Sequence, residues 1–176
     1  MPPSGVTVAV EGNKRSGGMS PSEARQCVGD VVEFFRNKAE GEISGADERE
    51  LRNFARDHFA LPLALEELYL AARSGIWFEE KELIPLQSAT KMLSEIKGRD
   101  LFPFARDPDD GLLVVNCETE AVFEYDLADG LGDEVASNFT DFFEAFRNDI
   151  LADKYEFVED CGLVEKTGTT MPRRGK

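Results

Sequence analysis

A chain of 176 residues holds one full hydrophobic core and is too short for two ordinary domains. Hydrophobic residues make up 41% of it and include 13 Phe, enough apolar surface to offset chain entropy and to exclude general disorder. Setting aside residues 1–19 and 171–176 leaves 15 Lys and Arg against 34 Asp and Glu; this acid excess disfavours nucleic acid and anionic membrane, and favours a protein partner with a basic surface, while also serving solubility.

Residues 1–19 are rich in Pro, Gly and Ser and predict a flexible leader. Their apolar stretch, Val6 to Val10, is too short for a secretion signal, and no later run approaches membrane-spanning length. Cys27, Cys117 and Cys161 lie far apart, are odd in number and form no CxxC pair. That favours reduced thiols in a cytoplasm over a disulfide framework or a zinc site. A cytoplasmic protein without membrane attachment or cofactor is expected.

Order is expected from residue 20 to 165 as a single domain, with a flexible basic tail over 166–176. Ser20, Pro21 and Glu23 form a capping-box start, and Ala24, Cys27, Val28, Val31, Phe34 and Phe35 repeat at helical steps up to Lys38. Asp47 with Glu50 opens a second helix whose inner face reads Leu51, Phe54, Ala55 and His58. Pro62 starts a third, carrying Leu65, Leu68, Tyr69 and Ala72, with Gly75 beyond its end. Beyond Gly75 come the short apolar segments "IWF" and "ELIPLQ", a short helix or turn in "SATKMLSEIKG", and three strands, "LFPFAR", "GLLVVN" and "AVFEYDL". The turns "DPDDG" and "CETE" join those strands into an antiparallel meander. A closing helix is expected from an Asp133 cap, spacing Val135, Phe139, Phe142, Phe143, Phe146 and Ile150, and "KYEFVEDCGLV" adds a short strand. The segments thus predict three helices, then an antiparallel meander on which the closing helix packs.

Few residues carry recognisable chemistry. Asp107, Asp109 and Glu118 occupy positions 1, 3 and 12 of a calcium-loop pattern, but the required glycine at position 6 is displaced to position 5 as Gly111, and the flanks are strand-like. The stretch instead predicts a hairpin turn in which Pro108 sets φ, Asp109 and Asp110 bond to the backbone and Gly111 takes positive φ. Asp107, Asp109 and Asp110 remain candidates for contact with a basic partner as well as for shaping that turn. His58 is the sole histidine and stands without neighbouring metal-type ligands; a helix-end or core role is favoured over catalysis. No phosphate loop, nucleophile elbow or zinc-protease motif occurs, so no enzymatic activity is expected. Trp77, the sole tryptophan, stands beside Glu79 and Glu80 and suits either an interface with a basic partner or a cover for the sheet edge. In "FTDFFEAF", core packing accounts for most of the phenylalanines, with Phe143 or Phe146 the candidates to reach a partner.

The ordered segments "LPLALEELYLAARSG" (61–75), "ELIPLQSATKM" (82–92), "LFPFARDPDDGLLVVN" (101–116), "AVFEYD" (121–126) and "EVASNFTDFFEAF" (134–146) resemble the SUKH superfamily. That group is named for yeast cell-wall-synthesis regulators and is abundant among bacterial immunity proteins. The resemblance covers about residues 47–151; Ser74-Gly75 stands where the family often has Asn-Gly or Gly-Gly, and the helix at 20–38 lies outside the pattern. It implies an α+β fold, SUKH-like, with an antiparallel or mixed sheet of about four to six strands flanked by helices, and no enzymatic activity. It also implies protein binding, either as an immunity protein neutralising a toxin such as a nuclease or as a regulatory adaptor with disordered arms.

Overall fold

The computed structural model describes residues 19–38, 43–159 and 161–166. The leader and basic-tail readings, except for Met19 and Lys166, lie outside the described residues. In chain order the elements are α1 (Pro21–Arg36), α2 (Glu48–Asp57), α3 (Leu63–Ala71), β1 (Trp77–Phe78), β2 (Lys81–Leu83), α4 (Leu86–Met92), β3 (Leu101–Arg106), β4 (Gly111–Asn116), β5 (Val122–Asp126), β6 (Gly130–Ala136), α5 (Phe139–Leu151), β7 (Tyr155–Val158) and β8 (Gly162–Glu165). Among these residues no helix is long and apolar enough to cross a membrane.

Capping chemistry sets the first two helices. The Ser20 hydroxyl accepts from the Glu23 N–H and the Glu23 carboxylate from the Ser20 N–H; Asp47 and Glu50 make the same reciprocal pair. α1 buries Ala24, Cys27, Val28, Val31, Val32 and Phe35, whereas Phe34 is half-buried. This helix packs on α3 and α5, and Arg147 of α5 pairs with Asp30 at 3.0 Å. In α2, Leu51 and Phe54 point inward, but His58 is exposed at the C-cap. The expected inner-face position of His58 is thus corrected: the helix has already ended there.

β1 to β6 form one curled antiparallel sheet in sequence order, and β7 pairs with β8 as a separate hairpin. The fold is α+β, a six-stranded antiparallel sheet flanked by helices. Pro103 lies inside β3, where a strand proline is tolerated because the register shifts between Pro103 and Ala105. β3 joins the layers: Phe102 meets Phe54 of α2 and Tyr69 of α3, while Phe104 meets Phe139 and Phe142 of α5.

Three successive turns share one construction. A side-chain oxygen of Asp107, Asn116 or Asp126 accepts backbone N–H groups inside the turn, and each turn closes on a left-handed residue: Asp110 (φ 67°), Glu120 (φ 71°) and Gly130 (φ 92°). Two details of the "DPDDG" expectation are corrected. The positive φ falls on Asp110 rather than Gly111, and the Asp107 carboxylate, rather than those of Asp109 and Asp110, accepts from the backbone. Gly111 is needed for a different reason: a Cβ there would stand 2.6 Å from Asp107 Oδ2.

The chain also departs from expectation around Asp133. Residues Gly130–Ala136 pair with β5 as β6, and α5 starts after Asn138, whose side chain accepts from the Asp141 N–H at 2.8 Å. "GLGDEVA" has no inward apolar face, and Val135 is exposed, so nothing in its periodicity marks a strand; the unpaired edge of β5 makes it one.

Tyr69 is wholly buried, and its hydroxyl donates to the Ile84 carbonyl at 2.5 Å, tying α3 to the segment after β2. Tyr69→Phe deletes the donor and keeps the ring. We expect a loss of about 1–3 kcal/mol from the orphaned carbonyl, measured by urea unfolding. Unchanged stability would show that the carbonyl finds another donor.

Candidate functional site

The β1–β2 hairpin is the centre around which the sequence-predicted residues gather. Phe78 pairs with Lys81, leaving Glu79 and Glu80 as a two-residue loop with Glu79 at φ 60°. Behind it docks the β7–β8 hairpin: the Leu163 N–H donates to the Glu79 carbonyl at 3.0 Å, and the Phe157 and Trp77 rings meet edge to face at 6.3 Å. Trp77 is half-buried under this hairpin, and its remaining surface lines a shallow cleft of about 550 Å³ with Glu82, Lys91, Arg106, Asp107 and Asp110.

Lys81 connects two of the predicted carboxylates. Its Nζ lies 2.8 Å from Glu80 and 3.3 Å from Asp107. Burial works to raise the Asp107 carboxyl, but the N–H groups of Gly111 and Asp109, with Lys81, outweigh it and hold it below the ordinary value. Burial likewise works to lower Lys81, and Glu80 and Asp107 reverse it, holding the amine above its usual value. Asp110 pairs with Arg106 at 2.5 Å. Asp109 is exposed, and its carboxylate has no hydrogen-bond or ion-pair partner among the described residues. The six predicted positions therefore separate: Glu79 and Glu80 face α5, Trp77, Asp107 and Asp110 face the Trp77 cleft, and Asp109 stands apart.

Between the β1–β2 loop and α5 lies a second cleft, of about 380 Å³. Its apolar surface comes from Phe78, Leu113, Val135, Phe142 and Phe146. Its charged lining is Glu79, Glu80, Glu124, Asp141 and Asp149 against one base, Lys81, already engaged by Glu80 and Asp107. The carboxylates of Glu79 and Glu124 make no hydrogen bond or ion pair among the described residues. Burial, then Glu80 and Glu165, hold the Glu79 carboxyl above its ordinary value, and burial, then Glu79 and Asp149, push the neighbouring Tyr155 phenol up to about 12. Asp149 is paired with Lys154 at 3.1 Å and Asp141 accepts from the Asn138 side-chain amide at 3.0 Å, which leaves Glu79 and Glu124 as the carboxylates of this lining that the protein does not engage.

Sequence reading missed Glu124, Asp141, Asp149 and Phe142 as site residues. One local signal was present: Asp141, Ala145 and Asp149 recur every four residues on α5, beside Phe142 and Phe146. Of the expected candidates for partner contact, Phe143 is fully buried and Phe146, though 7% exposed, lines the cleft beside the half-buried Phe142.

Other candidates are placed elsewhere. His58 ends α2 with its ring 4.8 Å from that of Phe54. Asp107 and Glu118 fall at opposite ends of β4, separated by roughly 20 Å of strand, so the calcium spacing does not bring them together. Among the described residues no three His, Cys, Asp or Glu side chains converge as a metal site. The cysteines are free thiols; burial pushes Cys27 up to about 11 and Cys117 up to about 12, which suppresses thiolate formation at neutral pH. No family model matches the chain, and no curated protein matches it either.

Proposed function

We propose that the protein is a non-enzymatic, acidic protein-binding module of the SUKH type. In this reading it acts in the cytoplasm as an immunity protein that neutralises a toxin with a basic surface, a nuclease being the target class that suits it best. The observation that carries it is the α5 cleft, where five carboxylates surround an apolar floor and two of them, Glu79 and Glu124, make no hydrogen bond or ion pair among the described residues. A nuclease site attracts phosphates with Lys and Arg; carboxylates presented to the same groups occupy it, speed encounter and make the complex sensitive to salt.

The test is neutralisation of the product of an adjacent toxin gene. Co-expression is expected to restore growth, and the purified pair is expected to bind with an affinity that falls at least about tenfold between ~50 and ~500 mM NaCl. Failure to restore growth, or a complex indifferent to salt, would overturn the immunity reading.

A further inference from the structure

We propose that the α5 cleft is the docking groove for one exposed segment of a protein partner that presents an apolar side chain flanked by Lys or Arg. This inference rests on the binding-module reading and specifies its site and the chemistry of its ligand. Charge complementarity selects the flanks: Glu79 and Glu124 carry carboxylates that make no hydrogen bond or ion pair among the described residues, and Asp141 and Asp149, held by Asn138 and Lys154, line the opposite helix wall. The floor selects the anchor. Phe142 is half-buried and Val135 is 45% exposed, so a purely cationic ligand would leave apolar surface wet, whereas an aliphatic or aromatic side chain covers it. A cleft of about 380 Å³ takes one or two side chains rather than a broad flat surface. The Trp77 cleft lacks this complementarity, because it carries Lys91 and Arg106 of its own and Arg106 is already paired with Asp110.

The probe is the peptide acetyl-KRFLRK-amide, titrated into the ¹⁵N-labelled full chain and compared with acetyl-KRSSRK-amide. Shifts are expected at the amides of Leu113, Ala145 and Asp149, with at least about fivefold weaker binding of the Ser-Ser peptide. Glu79→Gln with Glu124→Gln, which breaks no internal bond, is expected to weaken binding about tenfold, while Asp109→Asn leaves it unchanged. Ala145→Lys, at an exposed helix position lining the cleft, is expected to act in the same direction.

Absence of binding at ~5 mM peptide, or equal affinity of both peptides with shifts spread over the acidic surface, would overturn the groove. So would peptide affinity rising about tenfold in a chain ending at Lys166, which makes the protein's own C-terminal residues the occupant, or shifts at the same amides on protein dilution alone, which make it a second copy. The two readings fail separately: neutralisation that survives Glu79→Gln with Glu124→Gln removes the groove and keeps the immunity role, whereas anchored peptide binding without neutralisation does the reverse.

Discussion

Phe78→Ala is expected to cost about 3–5 kcal/mol and to lower Tm by roughly 6–20 °C. Phe78 is 4% exposed, and its ring lies 4.8 Å from that of Phe146, 5.4 Å from Phe104 and 5.7 Å from Phe142. It therefore attaches the short β1 to both the central sheet and α5, at a point where the backbone ladder of β1 is two residues long. Deleting the ring leaves a cavity whose aromatic walls belong to different elements and cannot collapse together. Because the same ring floors the α5 cleft, partner affinity is expected to fall with stability. Phe78→Leu, which keeps most of the volume, is expected to cost only about 1–2 kcal/mol. Thermal and urea unfolding of both variants check this; an alanine variant within about 1 kcal/mol of wild type would mean that the aromatic cluster does not hold β1 in place.

Gly162→Ala is the second large effect, and it is local. Gly162 has φ +90°, and a Cβ there would stand 2.2 Å from the Glu79 carbonyl oxygen and 2.6 Å from Trp77 Cε3. The obstructing atoms are a backbone carbonyl and an indole already packed on Phe157, so neither yields cheaply. Left-handed strain of about 1–2 kcal/mol and overpacking of about 1–3 kcal/mol add to roughly 2–5 kcal/mol against the docked hairpin. That cost is met by releasing β7–β8 from the β1–β2 loop, which breaks the Leu163 N–H to Glu79 carbonyl bond and frees Tyr155 from the cleft wall. Hydrogen exchange is the measurement that separates this from global unfolding: the Leu163 amide should lose protection while amides of α3 and β4 keep theirs. Retained protection at Leu163 would contradict the docking role assigned to this glycine.

Local chemistry was the legible part of the fold. Ser20 with Glu23 and Asp47 with Glu50 determine their helix starts within four residues, the Leu and Tyr spacing of α3 matches its burial, and the continuous apolar runs of β3 and β4 are buried along their length. What escaped depends on neighbours distant in sequence. "GLGDEVA" is exposed from Leu131 to Val135 and becomes a strand only because β5 offers a free edge, while Asp133, a plausible cap by type, lies inside that strand. The left-handed residue of the "DPDDG" turn fell on Asp110 because the Asp107 carboxylate holds the loop from inside and leaves Gly111 to the ladder.

The candidate site was visible only in part for the same reason. Trp77, Glu79, Glu80, Asp107, Asp109 and Asp110 stand out in the sequence as acids beside an aromatic, yet two interspersed bases decide which of them stay free: Lys81 joins Glu80 to Asp107 and Arg106 takes Asp110. Glu124 and Asp149 come to the cleft from β5 and α5, and no spacing connects them to Glu79 until α5 packs beside the sheet. The four-residue recurrence of Asp141, Ala145 and Asp149 was the one trace of that face in the sequence.

The acidic cleft as partner-binding surface is tested most directly by calorimetric titration of the neutralised toxin into wild-type protein and into Glu79→Gln with Glu124→Gln, at low and high salt. The double variant is expected to bind about tenfold more weakly at ~50 mM NaCl, and the difference to shrink toward ~500 mM as screening removes the contribution of those charges. Equal affinities at low salt would place the interface elsewhere and contradict the assignment of the cleft.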